Sequence, residues 1–204
     1  MARSKWRTSE DGQNAAALIG PNAILQMLPV LDQWGGQEGR ARILAAAGID
    51  QVPDGTRMIP EEDAARLHRQ LRHDAPERAA PMAAEAGRRT ADYILAHRIP
   101  RPAQRVLKAL PPFAAARLLS RAISRNAWTF VGSGTLHVRD AWTFEIEANP
   151  LIAGEVSEHC LCDWHAGVFG HLYQTLVTPR ATCTEVSCGA QAPGTRCRFE
   201  VRRA

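Results

Sequence analysis

Apolar positions over the first 125 residues recur at helical spacing and are cut into segments by proline and glycine. Gly20-Pro21 opens the first segment, since proline suits a first helical turn. Ile24, Leu28 and Leu31 form its stripe. Pro29 predicts a kink there, and Gly35-Gly36 predicts the stop. A short helix from Glu38 to Ala47 follows and ends at Gly48. Pro60-Glu61-Glu62-Asp63 marks the next start, because the three carboxylates complement the positive end of a helix dipole. Ala64, Leu67 and Leu71 continue that helix. The pattern predicts another from Glu77 to His97, with Met82, Ala86, Tyr93 and Ile94 inward and Pro100 and Pro102 beyond its end. Val106-Leu107-Leu110 and Phe113-Leu118-Leu119-Ile123 read as two short helices hinged at Pro111-Pro112.

At Trp128 the pattern changes. AWTFVGSGTLHV and AWTFEIEA are rich in aromatic and β-branched residues on either side of an Arg139-Asp140 turn, which predicts a hairpin. Helical periodicity returns in CDWHAGVFGHLYQTLV, from Cys162 to Val177. ATCTEVSC and TRCRFEVRR then read as two more strands across the Gly189–Gly194 loop. The expected fold class is α+β: N-terminal helices, then an antiparallel sheet of two hairpins with an intervening helix. Residues 20–204 read as one domain, helical over 20–126 and mixed over 127–204. The polar segment 1–19 is expected to be disordered.

Composition narrows the function. A chain of 204 residues that is 45% hydrophobic fits one domain with a sizeable core. The net charge is +4, carried almost wholly by arginine, with Lys5 and Lys108 the only lysines. Acidic residues at Glu61, Glu62, Asp63, Glu77 and Glu85 interleave with the cations, and no basic stripe with spaced aromatics stands out. No nucleic-acid partner is therefore expected. MARSKWRTSEDGQ lacks the apolar core of a signal peptide, and no apolar run approaches the ~20 residues of a transmembrane helix. Cytoplasmic localisation is expected. In a reducing compartment, five cysteines argue for thiols or metal ligands over disulfides.

Cys162, Glu185, Cys188 and Cys197 form the strongest constellation. Zinc prefers thiolates, and a carboxylate can complete the tetrahedron. Glu185 and Cys188 flank the end of one expected strand, Cys197 opens its partner, and Cys162 stands at a helix start that favours a thiolate. Spacing alone leaves open a second reading, that these cysteines are small buried apolar residues.

Cys162-x-Trp164, Gly167 and Gly170, then Glu185-x-x-Cys188, Gly194 and Cys197, resemble the 4-vinyl reductase domain family. That family includes effector sensors of transcriptional activators and is related in fold to a subunit type of vesicle-tethering complexes. The longer segments HCLCDWHAGVFGHLYQTLVTP and CRFEV resemble its bacteriochlorophyll-synthesis branch. The resemblance implies a zinc site at Cys162, Glu185, Cys188 and Cys197, with Cys160 and Cys183 close enough in sequence to replace a ligand. Such a site, closed by four protein ligands, is structural. The resemblance also implies dimerisation and a flat hydrophobic ligand, divinyl protochlorophyllide or a related Mg-tetrapyrrole.

Stacking aromatics and arginines suit such a ligand. The candidate ligand-binding residues are Trp128, Trp142, Phe144, Trp164, His165 and Phe169, and core packing is the competing role for the aromatics. On alternating strands Trp128 would share a face with Phe130, and Trp142 with Phe144. An axial contact to magnesium would fall to His165, with His137, His159 and His171 as competitors. GSGTLH, from Gly132 to His137, lacks the glycines and the βαβ setting of a nucleotide loop and reads as a bent strand. No nicotinamide, flavin or cluster-binding motif is readable, and reduction of a vinyl group needs such a donor. No catalytic residue is assigned. The expected function is a tetrapyrrole carrier or accessory factor at the 8-vinyl reduction of bacteriochlorophyll synthesis, working with the enzymes of that pathway. The alternatives are the 4-vinyl reductase itself and a small-ligand sensor or interaction module.

Overall fold

The computed structural model describes residues 17–191 and 196–203. Most of the segment expected to be disordered therefore lies outside the described residues, as do Gly194 and part of its loop. Leu18–Ile19 (β1) pairs with Ile59–Pro60 (β2) in a ribbon too short to leave a periodic signal. Helices follow at Asn22–Leu25 (α1), Leu28–Ala46 (α2), Glu61–Asp74 (α3), Pro76–His97 (α4), Arg101–Ala109 (α5) and Pro112–Arg125 (α6).

Two boundaries differ from expectation. Pro29 does not kink a helix begun at Pro21; it sits in the first turn of α2, where its missing N–H has no partner to lose. The break expected at Gly35-Gly36 is a kink inside α2, where Gly36 takes φ 64° and the helix resumes.

The first hairpin also starts later than its aromatics imply. Ala127–Thr129 is a single 3₁₀ turn, and the strands are Thr135–Val138 (β3) and Thr143–Glu147 (β4). Trp128 and Phe130 thus do not alternate along a strand. The glycines of GSGTLH form a turn, with Gly132 at φ 55° and the Glu61 carboxylate accepting from Ser133 N and Oγ. After Asp163–Leu176 (α7) come Ala181–Ser187 (β5) and Cys197–Arg203 (β6). The four-stranded sheet is antiparallel in the order β3-β4-β6-β5, so the two expected hairpins are joined by the pairing of β4 with β6.

The core lies on both sides of α7. Towards the sheet, Phe169 stacks on Phe144 at 4.8 Å and meets Phe199 edge-on at 5.4 Å. The Tyr173 hydroxyl donates to the Ala141 carbonyl. Towards the helices, α7 crosses α4 backbone to backbone. A Cβ on Gly87 would fall 2.2 Å from the Trp164 carbonyl oxygen, and one on Gly167 would fall 2.4 Å from that of Ala84. Only paired glycines permit this approach.

His68 is buried beside α7, with Nε2 3.2 Å from the Ala23 carbonyl and its ring edge-on to Trp164. Burial, reinforced by Arg72, pushes its pKa from 6.5 down to about 3. Unfolded His68 therefore takes up a proton that the folded chain refuses. The stability this contributes is complete above pH 6.5 and is lost as pH falls below that value. Urea unfolding at pH 6 and pH 5 should show a fall about 1 kcal/mol smaller in His68→Gln than in the parent chain.

Candidate functional site

Glu185 and Cys188 lie three residues apart, which on a regular strand would put them on opposite faces. The pairing of β5 with β6 removes that difficulty. Glu185 faces Phe199 but Ser187 faces Arg198, so one residue is bulged out. The bulge and the strand end bring Cys188 round to the side of Glu185. Cys197 begins β6, and Cys162 immediately precedes α7.

The ligand atoms of Cys162, Glu185, Cys188 and Cys197 all lie within 4.8 Å of one another. The sulfur separations are 3.4 Å for Cys162–Cys197, 3.9 Å for Cys188–Cys197 and 4.0 Å for Cys162–Cys188. They bracket the about 3.8 Å that tetrahedral zinc with Zn–S bonds of about 2.3 Å requires. Cys160 and Cys183 are not in this group. None of the five cysteines is in a disulfide.

The surroundings favour charge on sulfur. Asn149 Nδ2 donates to Cys162 Sγ at 3.2 Å, with Cys197 Sγ at 3.8 Å, and Gly189 N donates to Cys197 Sγ at 3.4 Å. The same asparagine accepts from Leu151 N, which fixes its amide. Burial raises the Cys162 thiol well above its usual range, helped by its hydrogen bonds to the other two sulfurs. Cys188 moves the opposite way, because Cys162 and Cys197 donate to it. At Cys197 the bond with Cys162 lowers the value, but the bond with Cys188 and burial together raise it. Burial and the Cys188 sulfur push Glu185 up to about 8.

Glu185 Oε2 accepts from Cys162 N at 2.7 Å, while its buried Oε1 has no hydrogen-bond partner among the described residues. Three thiols and one orphaned carboxylate oxygen at these separations fit zinc. Without a cation they form a costly buried acidic cluster.

A cavity of about 420 Å³ lies on the opposite side of α7. Trp164, Val168, Phe169 and Leu172 of α7 wall it against Thr90, Tyr93 and Ile94 of α4 and Leu119 and Ile123 of α6. Trp128 and Arg98 also border it. The candidate ligand residues therefore divide. Trp128, Trp164 and Phe169 line the cavity. Phe144 is fully buried against the sheet side of α7, and Trp142 lies beside Tyr173 under the Arg203 guanidinium. His165 is a core residue whose Nε2 lies 3.0 Å from the Phe130 carbonyl. Among the described residues, none of His137, His159, His165 and His171 lines the cavity. His137 pairs with Glu147 and His171 with Asp92.

Sequence reasoning missed Met58, Thr90, Ile94, Arg98 and Ile99 as lining residues. They belong to segments read as ordinary helix faces and ends, and an apolar residue facing a cavity carries the same pattern as one facing a core.

A profile of the 4-vinyl reductase domain matches residues 142–203. The bacteriochlorophyll synthase 23 kDa chain of Cereibacter sphaeroides is 47% identical over 193 residues, covering 93% of this chain and 93% of its own. The chain of the same name from Rhodobacter capsulatus is 45% identical over 178 residues, covering 86% of this chain and 83% of its own. Among solved structures, an H-NOX family domain in which heme distortion was probed aligns with a TM-score of 0.55. The alignment covers 91% of this chain and 95% of that one at 12% identity, a likeness of fold. This chain therefore belongs to the family of the bacteriochlorophyll synthase 23 kDa chains, built on the 4-vinyl reductase domain.

Proposed function

We propose that this chain is a tetrapyrrole-binding accessory protein of bacteriochlorophyll biosynthesis. In this reading it holds or delivers divinyl protochlorophyllide, or a related Mg-tetrapyrrole, for the enzyme that reduces the 8-vinyl group. The names of its relatives support the pathway. The cavity supports the ligand: its about 420 Å³ falls within the ~300–1,000 Å³ of small-molecule sites and it is walled by apolar and aromatic side chains. Trp164 adds a buried indole N–H that lacks a partner among the described residues. A ligand acceptor would relieve such a donor. The Cys162, Glu185, Cys188 and Cys197 cluster holds a structural zinc in the same reading. Because all four ligands come from the protein, the metal cross-links β5, β6 and the start of α7 and leaves no position for substrate.

Titrating the purified protein with divinyl protochlorophyllide should shift the pigment's absorbance. Trp128→Ala is expected to weaken binding by about tenfold, from the loss of an aromatic contact worth roughly 1–1.5 kcal/mol. Trp142→Ala, outside the cavity, should leave affinity unchanged. With NADPH added, the protein alone should yield no monovinyl product. Turnover under those conditions would replace the carrier reading with that of the reductase itself.

A further inference from the structure

The even mixing of charge expected from the sequence holds for α3 and α4 and ends at Asp92. Residues 93–139 contain eight lysines and arginines and no aspartate or glutamate. Arg139 is neutralised by Glu145 of the sheet. The other seven form no ion pair among the described residues, in contrast to the arginines of β6, which are paired along the sheet face. On α5 the cations are Arg101, Arg105 and Lys108, spaced to share one stripe. On α6, Arg117, Arg121 and Arg125 recur every four residues, opposite the buried stripe of Ala115, Leu119 and Ile123.

The same segment exposes large apolar side chains. Phe113 is 64% exposed, Trp128 59%, Val106 55% and Leu118 44%. These are four of the nine large apolar residues exposed among the described residues, gathered within 23 positions. Cations alone would suit any polyanion. Hydrocarbon and an indole interleaved with cations suit a surface that is anionic outside and apolar beneath, where arginine stems lie along acyl chains and an aromatic ring sits at the headgroup level.

We propose that the α5–α6 face docks on an anionic lipid bilayer. The position of the cavity gives this docking a use. Arg98, Ala122, Asn126 and Trp128 line the cavity and are also exposed, so its mouth opens within the carboxylate-free segment. A docked chain sets that mouth against the lipid, where an apolar ligand can pass between bilayer and cavity without crossing water. Only this transfer rests on the cavity reading. Docking itself is measured without ligand, so the two fail separately.

The test is co-sedimentation of the full chain with vesicles of phosphatidylcholine alone or mixed with phosphatidylglycerol. Partition is expected to be at least about tenfold stronger on the mixed vesicles and to fall as salt is raised. The triple variant R117Q/R121Q/R125Q should lose more than about tenfold, given roughly fivefold per cation at an anionic surface. Phe113→Ser should weaken partition at every salt concentration. If the triple variant melts abnormally, R101Q/R105Q/K108Q on α5 carries the same expectation. Equal partition onto neutral and anionic vesicles, or undiminished partition of folded variants, overturns the proposal. Binding to an acidic protein or to RNA with no partition onto vesicles also overturns it and reassigns the face.

Discussion

Cys188→Ala is expected to leave the purified chain without zinc and to lower its unfolding free energy by on the order of 3–5 kcal/mol. Loss of one ligand from a four-ligand site removes binding energy that is also folding energy, and leaves Cys162, Cys197 and Glu185 crowded without a cation. If the thiols were only small apolar residues, the same change would remove one buried sulfur and cost about 1 kcal/mol. Elemental analysis and urea unfolding on one preparation separate these outcomes. Cys160→Ser and Cys183→Ser serve as controls, since neither residue belongs to the cluster. A chelator should reproduce the destabilisation in the parent chain and have no further effect on Cys188→Ala.

Gly87→Ala is expected to destabilise by about 2–4 kcal/mol, although helix propensity alone would make alanine better than glycine by about 1 kcal/mol. The added Cβ would meet the Trp164 carbonyl oxygen at 2.2 Å and the Gly167 Cα at 3.0 Å. Both contacts are backbone, so no rotamer change relieves them, and α4 must move off α7. Gly35→Ala is the matched control: it lies in α2 with nothing within 4 Å of its Cβ position, and should gain stability instead. Equal behaviour of the two variants in urea would remove the close crossing from the account of this fold. Because Trp164 and Val168 wall the cavity, Gly87→Ala should also weaken pigment binding.

Signals confined to a few neighbouring residues were legible in the sequence. Pro60 and its three acidic successors start α3 where the pattern says, and Pro111-Pro112 separates α5 from α6. The four cluster residues could be picked out because cysteine is scarce and Glu185-x-x-Cys188 is a chemical pattern rather than an apolar one. Features that depend on distant partners were not legible. The bulge that brings Cys188 beside Glu185 exists only in the pairing of β5 with β6. Trp128 and Trp142 stand in similar local sequences, AWTF in both cases, yet one borders the cavity and the other packs against Tyr173. The first follows a helix end and continues into a 3₁₀ turn, while the second leads directly into a strand. Local composition cannot tell these apart.

The sheet order also bears on how the chain is made. β6 lies between β4 and β5, yet it leaves the ribosome after both. About 50 residues separate the end of β4 from the start of β6, or roughly 3–10 s of synthesis at ~5–20 residues per second. During that interval β4 shows an open hydrogen-bonding edge, and α7 lacks the aromatic floor that Phe199 completes. The nascent chain is therefore most open to misassociation just before its central strand arrives, the interval in which a chaperone would have most to protect.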